Sequence, residues 1–414
     1  MNDEELYLKF VDQLAEWSGT GKEPELGDWN IRTYLDMQEH RLKSKGITRI
    51  FEYKPDGNVM RVGDTVVGNM LNSYNKRLNC TFGQKKIRYI HNGKTIFHED
   101  TKASFFQLIK HPSSENDEWK SETYICPNCN NIVKIEELES EGCSYCGTKF
   151  LMSQLYPKVT NYYILENLPN GKFSIKDLFD IIIVCFLFVT ILSFSLYFIA
   201  PDIFRDYDTK EVLFTLYSGG LIWGLILFPI ISLAKKSIPV MVGTVGAKSQ
   251  ITAKLKGFDP SFSYDYFEGK ALSLLRMIVY ADNPQKYIQY EGKGLAASFE
   301  NIVDMEYLGG LGLDGIKQTG EYIEVKLKVY MKNTYYDGRK IKQKGEVLNL
   351  QMKHKSSWKI EPEFSIVKVA CHGCGGSFDA TKDRNCPYCG KEYDAGIDDW
   401  IVTDINIKSE LSNF

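Results

Sequence analysis

Ten cysteines are the residues of this chain best equipped for chemistry, and eight of them fall into two matching sets. Cys126-Pro127-Asn128-Cys129 is followed by Cys143-Ser144-Tyr145-Cys146, and Cys371-His372-Gly373-Cys374 by Cys386-Pro387-Tyr388-Cys389. Two thiolates on one tight knuckle bind one side of a tetrahedral Zn²⁺, and a second knuckle closes the other side. Gly147 and Gly390, directly after the last cysteine of each set, permit the positive-φ turn that aims backbone N–H groups at sulfur. Four thiolates leave no open position for water, so two structural zinc ions are expected and no catalytic one. Iron is the alternative occupant of a Cys₄ site. Disulfides conflict with a cytoplasmic placement, and a redox motif needs one CxxC beside a βαβ unit. His372 is not expected to ligate, since four sulfurs suffice. Cys80 and Cys185 remain, and both read as buried apolar residues.

Other chemistry is sparse. Gly310-Leu311-Gly312-Leu313-Asp314-Gly315 fits GxGxxG, but a dinucleotide fingerprint must open a helix, and a strand follows here. There is no GxxxxGK[ST], HExxH or GxSxG, and His40, His91, His98, His111 and His354 form no ligand-spaced cluster. Asp304 is the one acid to name as an enzyme candidate, and its reading is an edge acid on a solvated strand. The expected set of catalytic residues is empty.

Two apolar stretches would place these sets in a cell. Residues 181–200 and 212–234 contain no charge, and each reaches the roughly 20 residues that cross a bilayer as a helix. They predict a transmembrane hairpin. Lys172 and Lys176 before it and Lys235, Lys236 and Lys248 after it put both flanks in the cytoplasm. A multi-pass cell-membrane protein with cytoplasmic N- and C-terminal domains is therefore expected. The start, MNDEELYLKF, has no signal-peptide pattern. Gly220 and Gly224 form a GxxxG for close packing of the two spans, with a homodimer seam as its other use. Lys235, Lys236, Lys248, Lys254 and Lys256 are candidates for anionic lipid headgroups.

The remainder reads as α+β. Helical patterns cover Glu5–Trp17 and Trp29–Ser44, with hairpin turns at Asp56-Gly57 and Asn92-Gly93. After the spans, Asp259-Pro260 begins a helix with the stripe Phe267, Ala271, Leu274, Leu275, Ile278, and a second helix is expected from Pro284 to about Ala297. Ile323 to Met331 alternates as a strand buried on one face, Asp337-Gly338 turns it, and Leu348, Leu350 and Met352 return. Trp400 to Ile405 is a further strand, so the second cysteine set is a clip between two strands of one sheet. The expected divisions are an N-terminal α+β domain (1–117), zinc ribbon 1 with flanking strands (118–168), the membrane hairpin (169–240), a C-terminal domain (241–370), and zinc ribbon 2 with a closing strand (371–414). Strand, ribbon, strand recurs in both halves, which suggests one plan repeated on either side of the hairpin.

The run from Gly257-Phe258-Asp259-Pro260-Ser261-Phe262 through the long hairpin, the strand Asn301-Ile302-Val303-Asp304-Met305-Glu306 and the closing Asp398-Asp399-Trp400 resembles the C-terminal domain of mitochondrial inner-membrane translocase subunit 44. Similar domains occur in bacterial membrane proteins. The resemblance spans about residues 257–407 and implies a nuclear-transport-factor-two-like cone, a curved antiparallel sheet with helices around an apolar pocket. In that family the domain contacts membranes and partner proteins and does no known chemistry.

The chain has 50 basic and 53 acidic residues in 414, a net charge of -3, which argues against nucleic acid as a partner. The expected function is a non-enzymatic adaptor holding a partner protein or apolar ligand at the membrane's cytoplasmic face, with transport as the process it would serve. A lipid or small-ligand carrier, or a pocket enzyme, are the alternatives.

Overall fold

The computed structural model describes residues 2–62, 76–111, 123–126, 128–129, 131–150, 157–166, 246–259, 262, 264–356, 368–379, 385–393 and 399–411. Helix α1 (Asp3–Thr20) opens with a capping box, Asn2 accepting from the Glu5 N–H and Glu5 from the Asn2 N–H. It buries Leu6, Tyr7, Phe10, Val11, Leu14 and Trp17 along one face. Helix α2 (Trp29–Ser44) is capped by Asp28. Strands β1 (Ile47–Pro55), β2 (Met60–Val62), β3 (Lys76–His91), β4 (Lys94–Lys110) and β7 (Lys158–Glu166) form one antiparallel sheet in the order β1-β3-β4-β7, with β2 beside β3. Between β4 and β7 lies the first cysteine ribbon, with β5 (Thr123–Ile125), β6 (Ile132–Lys134) and the short helix α3 (Ile135–Ser140).

The second half starts with α4 (Ala247–Lys256) and α5 (Tyr264–Tyr280). Strands β8 (Ile302–Thr319), β9 (Tyr322–Tyr336), β10 (Ile341–Lys355) and β13 (Ile401–Glu410) form a second antiparallel sheet in the order β8-β9-β10-β13. The second ribbon, with β11 (Lys368–Ala370) and β12 (Ser377–Asp379), lies between β10 and β13. The two halves thus repeat one plan. A long helix is followed by a loop, three long strands, a ribbon and a fourth strand, and the sheet order is the same. Even a small irregularity recurs. Gly27 makes an isolated parallel bridge to Val159, and Tyr290 makes one to Val402; each partner is the second residue of its closing strand. After the bridge the first half continues into α2, whereas the second has only a 3₁₀ turn, Ala297–Asn301.

That bridge also explains one departure from expectation. No helix runs from Pro284 to Ala297; Pro284–Lys286 is a single 3₁₀ turn. The Gln289 carbonyl and the Glu291 N–H are drawn out to pair with Val402. Helix α5 begins at Tyr264 rather than at Asp259-Pro260. The turns at Asn92-Gly93 and Asp337-Gly338 form as expected, with Asn92, Gly93 and Gly338 all at positive φ.

The expected fold also contained a transmembrane hairpin, and here it is corrected. Among the described residues no helix is long and apolar enough to cross a membrane. Helix α1, with 18 residues, carries Asp3, Glu4, Glu5, Lys9, Asp12 and Glu16 and is apolar along one face only, as a helix packed on a sheet must be. Contacts divide the chain into one unit of Met1–Asn167 with Gly243–Phe414 and another of Leu168–Val242. The segments 181–200 and 212–234, with Gly220, Gly224, Lys235 and Lys236, fall in the second unit and lie outside the described residues. The described residues form an α+β fold with two antiparallel sheets, and no membrane hairpin is found among them. A multi-pass membrane placement with cytoplasmic ends is not supported.

The halves share one core. Helix α2 packs on α5, β7 meets β8, and the apolar cluster runs from Leu6 to Ile405 without a break. The Tyr163 ring stands edge-on to Tyr307 at 5.6 Å, and the Arg276 guanidinium lies 5.0 Å over Tyr34. The closing Asp399-Trp400 ties strand β13 to α5: Asp399 pairs with Lys270 at 2.6 Å, both buried, and Trp400 packs edge-on against Phe267.

Candidate metal centres and the charged seam

In each cysteine set the four sulfurs lie within 4.8 Å of one another. Sγ–Sγ separations are 3.7 Å for Cys126–Cys146, 3.5 Å for Cys129–Cys143, and 3.6 Å for both Cys371–Cys389 and Cys374–Cys386. A tetrahedral ion with metal–sulfur bonds of about 2.3 Å needs sulfurs about 3.8 Å apart. The residues fit such an ion twice, and two tetracysteine groups could hold metal ions.

The knuckles are built alike. The N–H of Cys126, Cys143, Cys371 and Cys386 each donates to the carbonyl five residues on. Gly147, Gly375 and Gly390 each donate back to the carbonyl of the cysteine four residues earlier, all near φ 70. Asn130 stands at that place in the remaining knuckle and lies outside the described residues. The Gly373 N–H reaches Cys371 Sγ at 3.3 Å and brings that thiol down to about 6. The Thr148 hydroxyl and N–H do the same for Cys146, also to about 6. Burial pushes Cys126 up to about 12. Cys80 is buried and unbridged on β3. His372 stacks on Tyr393 at 5.3 Å. The two ribbons touch, the Tyr145 hydroxyl donating to the Gly375 carbonyl at 3.2 Å.

A second constellation lies at the seam between the halves, and little of it shows in the sequence. Asp304 is not a solvated edge acid. It is buried on β8, accepting from Arg49 Nε at 2.7 Å, the Tyr89 hydroxyl at 2.8 Å and Gln38 Nε2 at 2.9 Å. Burial alone would raise its carboxyl; the guanidinium and these hydrogen bonds overcome that and hold it below the usual range. Beside it, Lys85 reaches Glu99 at 2.6 Å, Glu166 at 2.7 Å and Glu306 at 2.9 Å. Lys332 touches the same three carboxylates, Glu99 at 3.2 Å and Glu306 at 2.8 Å. Lys85 is 0% and Lys332 4% exposed, while Glu166, at 29%, is the open side. Against the cost of burial, the two ammonium groups keep Glu99 well below the ordinary carboxylate range; burial dominates at Glu166 and raises it. A cavity of about 30 Å³ remains, lined by Tyr34, Gln38, Arg49 and Tyr162 from one half and Arg276 and Asp304 from the other. It has room for a water and little else.

Arg49 and Lys85 had a readable signal. Each interrupts an apolar phase, Ile47-Phe51-Tyr53 and Ile87-Tyr89, on an alternating strand. Lys332 and Glu306 sit in polar phases and had none. Of the proposed headgroup lysines, Lys248 lies 4.8 Å over the Tyr264 ring. Lys254 and Lys256 are exposed in the last turn of α4, where cations offset the helix dipole.

Comparison with protein-family models, curated proteins and solved structures finds no match to this chain.

Proposed function

We propose that the chain is a non-enzymatic binding protein whose two ribbons carry structural zinc and whose joined halves present a site for a partner protein. The observation that carries this reading is the closed donor set of each ribbon: four sulfurs within 4.8 Å, with no place for a reacting water. The interior titratable groups are consistent with it. A general base needs an unengaged lone pair with space for a substrate, but Asp304 accepts from three side chains and the Met305 N–H, and the cavity beside it is about 30 Å³. The resemblance to the translocase-subunit-44 domain points the same way. A pocket of about 350 Å³ in the second half has Lys340, Lys342, Lys344, Asp337, Glu346 and Glu410 among its lining residues, with Tyr335 and Ile407, and these charges favour a protein surface as its occupant.

Metal analysis of the purified chain should find two zinc ions. Cobalt substitution should give the intense visible spectrum of tetrahedral sulfur coordination at both sites. One ion or none, or a spectrum of mixed oxygen coordination, would sink the structural-zinc reading. In cross-linking within the source cells, partner peptides should concentrate on Lys340, Lys342 and Lys344. An even spread over surface lysines would reject the site.

A further inference from the structure

The repeated plan permits a comparison within one molecule. Each half has an inner sheet face that turns toward its long helix, and near the hairpin between its second and third long strands this face is not covered by that helix. In the first half the inner-face pairs counted from that hairpin are Tyr89–Phe97, Ile87–Glu99 and Lys85–Thr101. In the second they are Tyr335–Lys342, Asn333–Lys344 and Met331–Glu346. The tyrosines correspond, and each hydroxyl reaches a carboxylate: Tyr89 donates to Asp304 at 2.8 Å and Tyr335 to Glu346 at 2.5 Å.

The two mouths differ in what occupies them. The first is filled by β8 of the other half. Asp304 and Glu306, two residues apart on an extended strand and so on one face of it, enter against Arg49 and Lys85. What remains is a space of about 30 Å³. The second mouth is open, about 350 Å³. Where the first half has Phe97 and Glu99, the second has Lys342 and Lys344, with Lys340 at the adjoining turn. Lys340 and Lys342 are exposed. Glu346, 2% exposed, forms a settled floor, held by Asn333 Nδ2 at 2.7 Å as well as by Tyr335. Lys342 lies at a loose 3.9 Å from Asp337, and Lys344 pairs with Glu410 at the rim. Solvent-exposed pairs such as these contribute little and exchange readily for a better carboxylate.

We propose that the open mouth of the second half binds an extended acidic segment of a partner protein, with carboxylates two residues apart, as the first half's mouth holds Asp304 and Glu306. This site rests on the reading of the chain as a binding protein and gives its partner a chemistry. Lys342 and Lys344 would take the two carboxylates, and the Tyr335 ring and Ile407 would pack against the intervening side chain.

The test is fluorescence anisotropy on the full chain. The probe is a labelled synthetic octapeptide with the sequence of residues 301–308, which carries the Asp-Met-Glu pattern, alongside a control peptide with Asn and Gln in place of its two acids. Saturable binding is expected, weakening with salt, lost by about tenfold or more with the control peptide and by a similar factor in K342E/K344E. The single variant K340E, at an exposed turn, should weaken it without disturbing the fold, and K22E, far from the mouth, should leave it unchanged. Absence of saturable binding, or binding indifferent to the acids and to these lysines, would overturn the proposal. If that happens in protein carrying two zinc ions and unfolding cooperatively, this inference alone fails. If wild-type protein lacks the zinc, the binding-protein reading fails with it.

Discussion

Arg49 and Asp304 are 255 residues apart in sequence and 2.7 Å apart in space. Two buried ions gain from each other only while both are present. Removing one leaves the other desolvated, at a cost of about 3–5 kcal/mol, whereas replacing both by apolar groups of similar volume is close to neutral. R49M should therefore destabilise strongly, and R49M/D304L should recover much of the loss, as a double-mutant cycle in urea would show; additive losses would mean that the pair is not coupled. The pH dependence follows from the same groups. Asp304 and Glu99 have folded-state pKa values below their unfolded ones. Their stabilisation is full above about pH 4 and is lost as pH falls through the folded values. Glu166 is shifted up, so its contribution runs the other way, present at low pH and lost as pH rises. Two depressed acids outweigh one raised one, so unfolding free energy should drop between about pH 4 and 2. D304N with E99Q should flatten that slope, and an unchanged slope would contradict the assignment.

Among the elements, the ribbons are the most separable. Ribbon 1 buries a small cluster of its own, Val133, Ile135 and Leu138, while Val369, Phe378 and Tyr393 of ribbon 2 pack with Ile288 and Ile401. Four thiolates and one metal hold what so small a core cannot. C126S should release ribbon 1 as a local opening: hydrogen exchange quickens over Ile132–Ser140 and stays slow in β3 and β9. Slowed or unchanged exchange there would show the ribbon stable without its metal. At Gly390, φ +72 disfavours any side chain although nothing lies within 4 Å of a Cβ. G390A should cost about 1–2 kcal/mol of local stability through backbone strain alone, read as faster zinc loss to a chelator. The closing strand depends on its first residues. D399A leaves the buried Lys270 without its carboxylate, and a loss of about 3 kcal/mol or more is expected in urea unfolding.

The whole unit of residues 1–167 and 243–414 should behave as one cooperative body, because its seam is both apolar and charged. Lys85 and Lys332 each reach carboxylates from both halves. A fragment of residues 1–167 would expose Arg49, Lys85 and the faces of α2 and β7. It is expected to lack a cooperative thermal transition, while the slowest amides of α1 and α5 in the full chain exchange through one global opening. Distinct opening energies for the two helices would mean two independent domains.

Much that is local could be read in advance. The eight ligands stand at spacings set by the reach of a knuckle, the Asn-Gly and Asp-Gly turns by their left-handed φ, and α2 by its Asp28 cap and its period. Each depends on neighbours a few residues away. The Pro284 segment misled because an Asn-Pro helix start is only a local preference, and Val402 of β13 supplied better partners for its backbone. The fate of Asp304 could not be read at all. On β8 its phase is the polar one, outward from its own core, and only the arrival of the first half turns that face into an interior. Sequence by itself determined the metal-ready knuckles, the turns and the repeated order of elements, since those follow from short-range geometry. Tertiary structure alone decided which mouth is filled and which is open, because that depends on ion pairs between residues more than 200 positions apart.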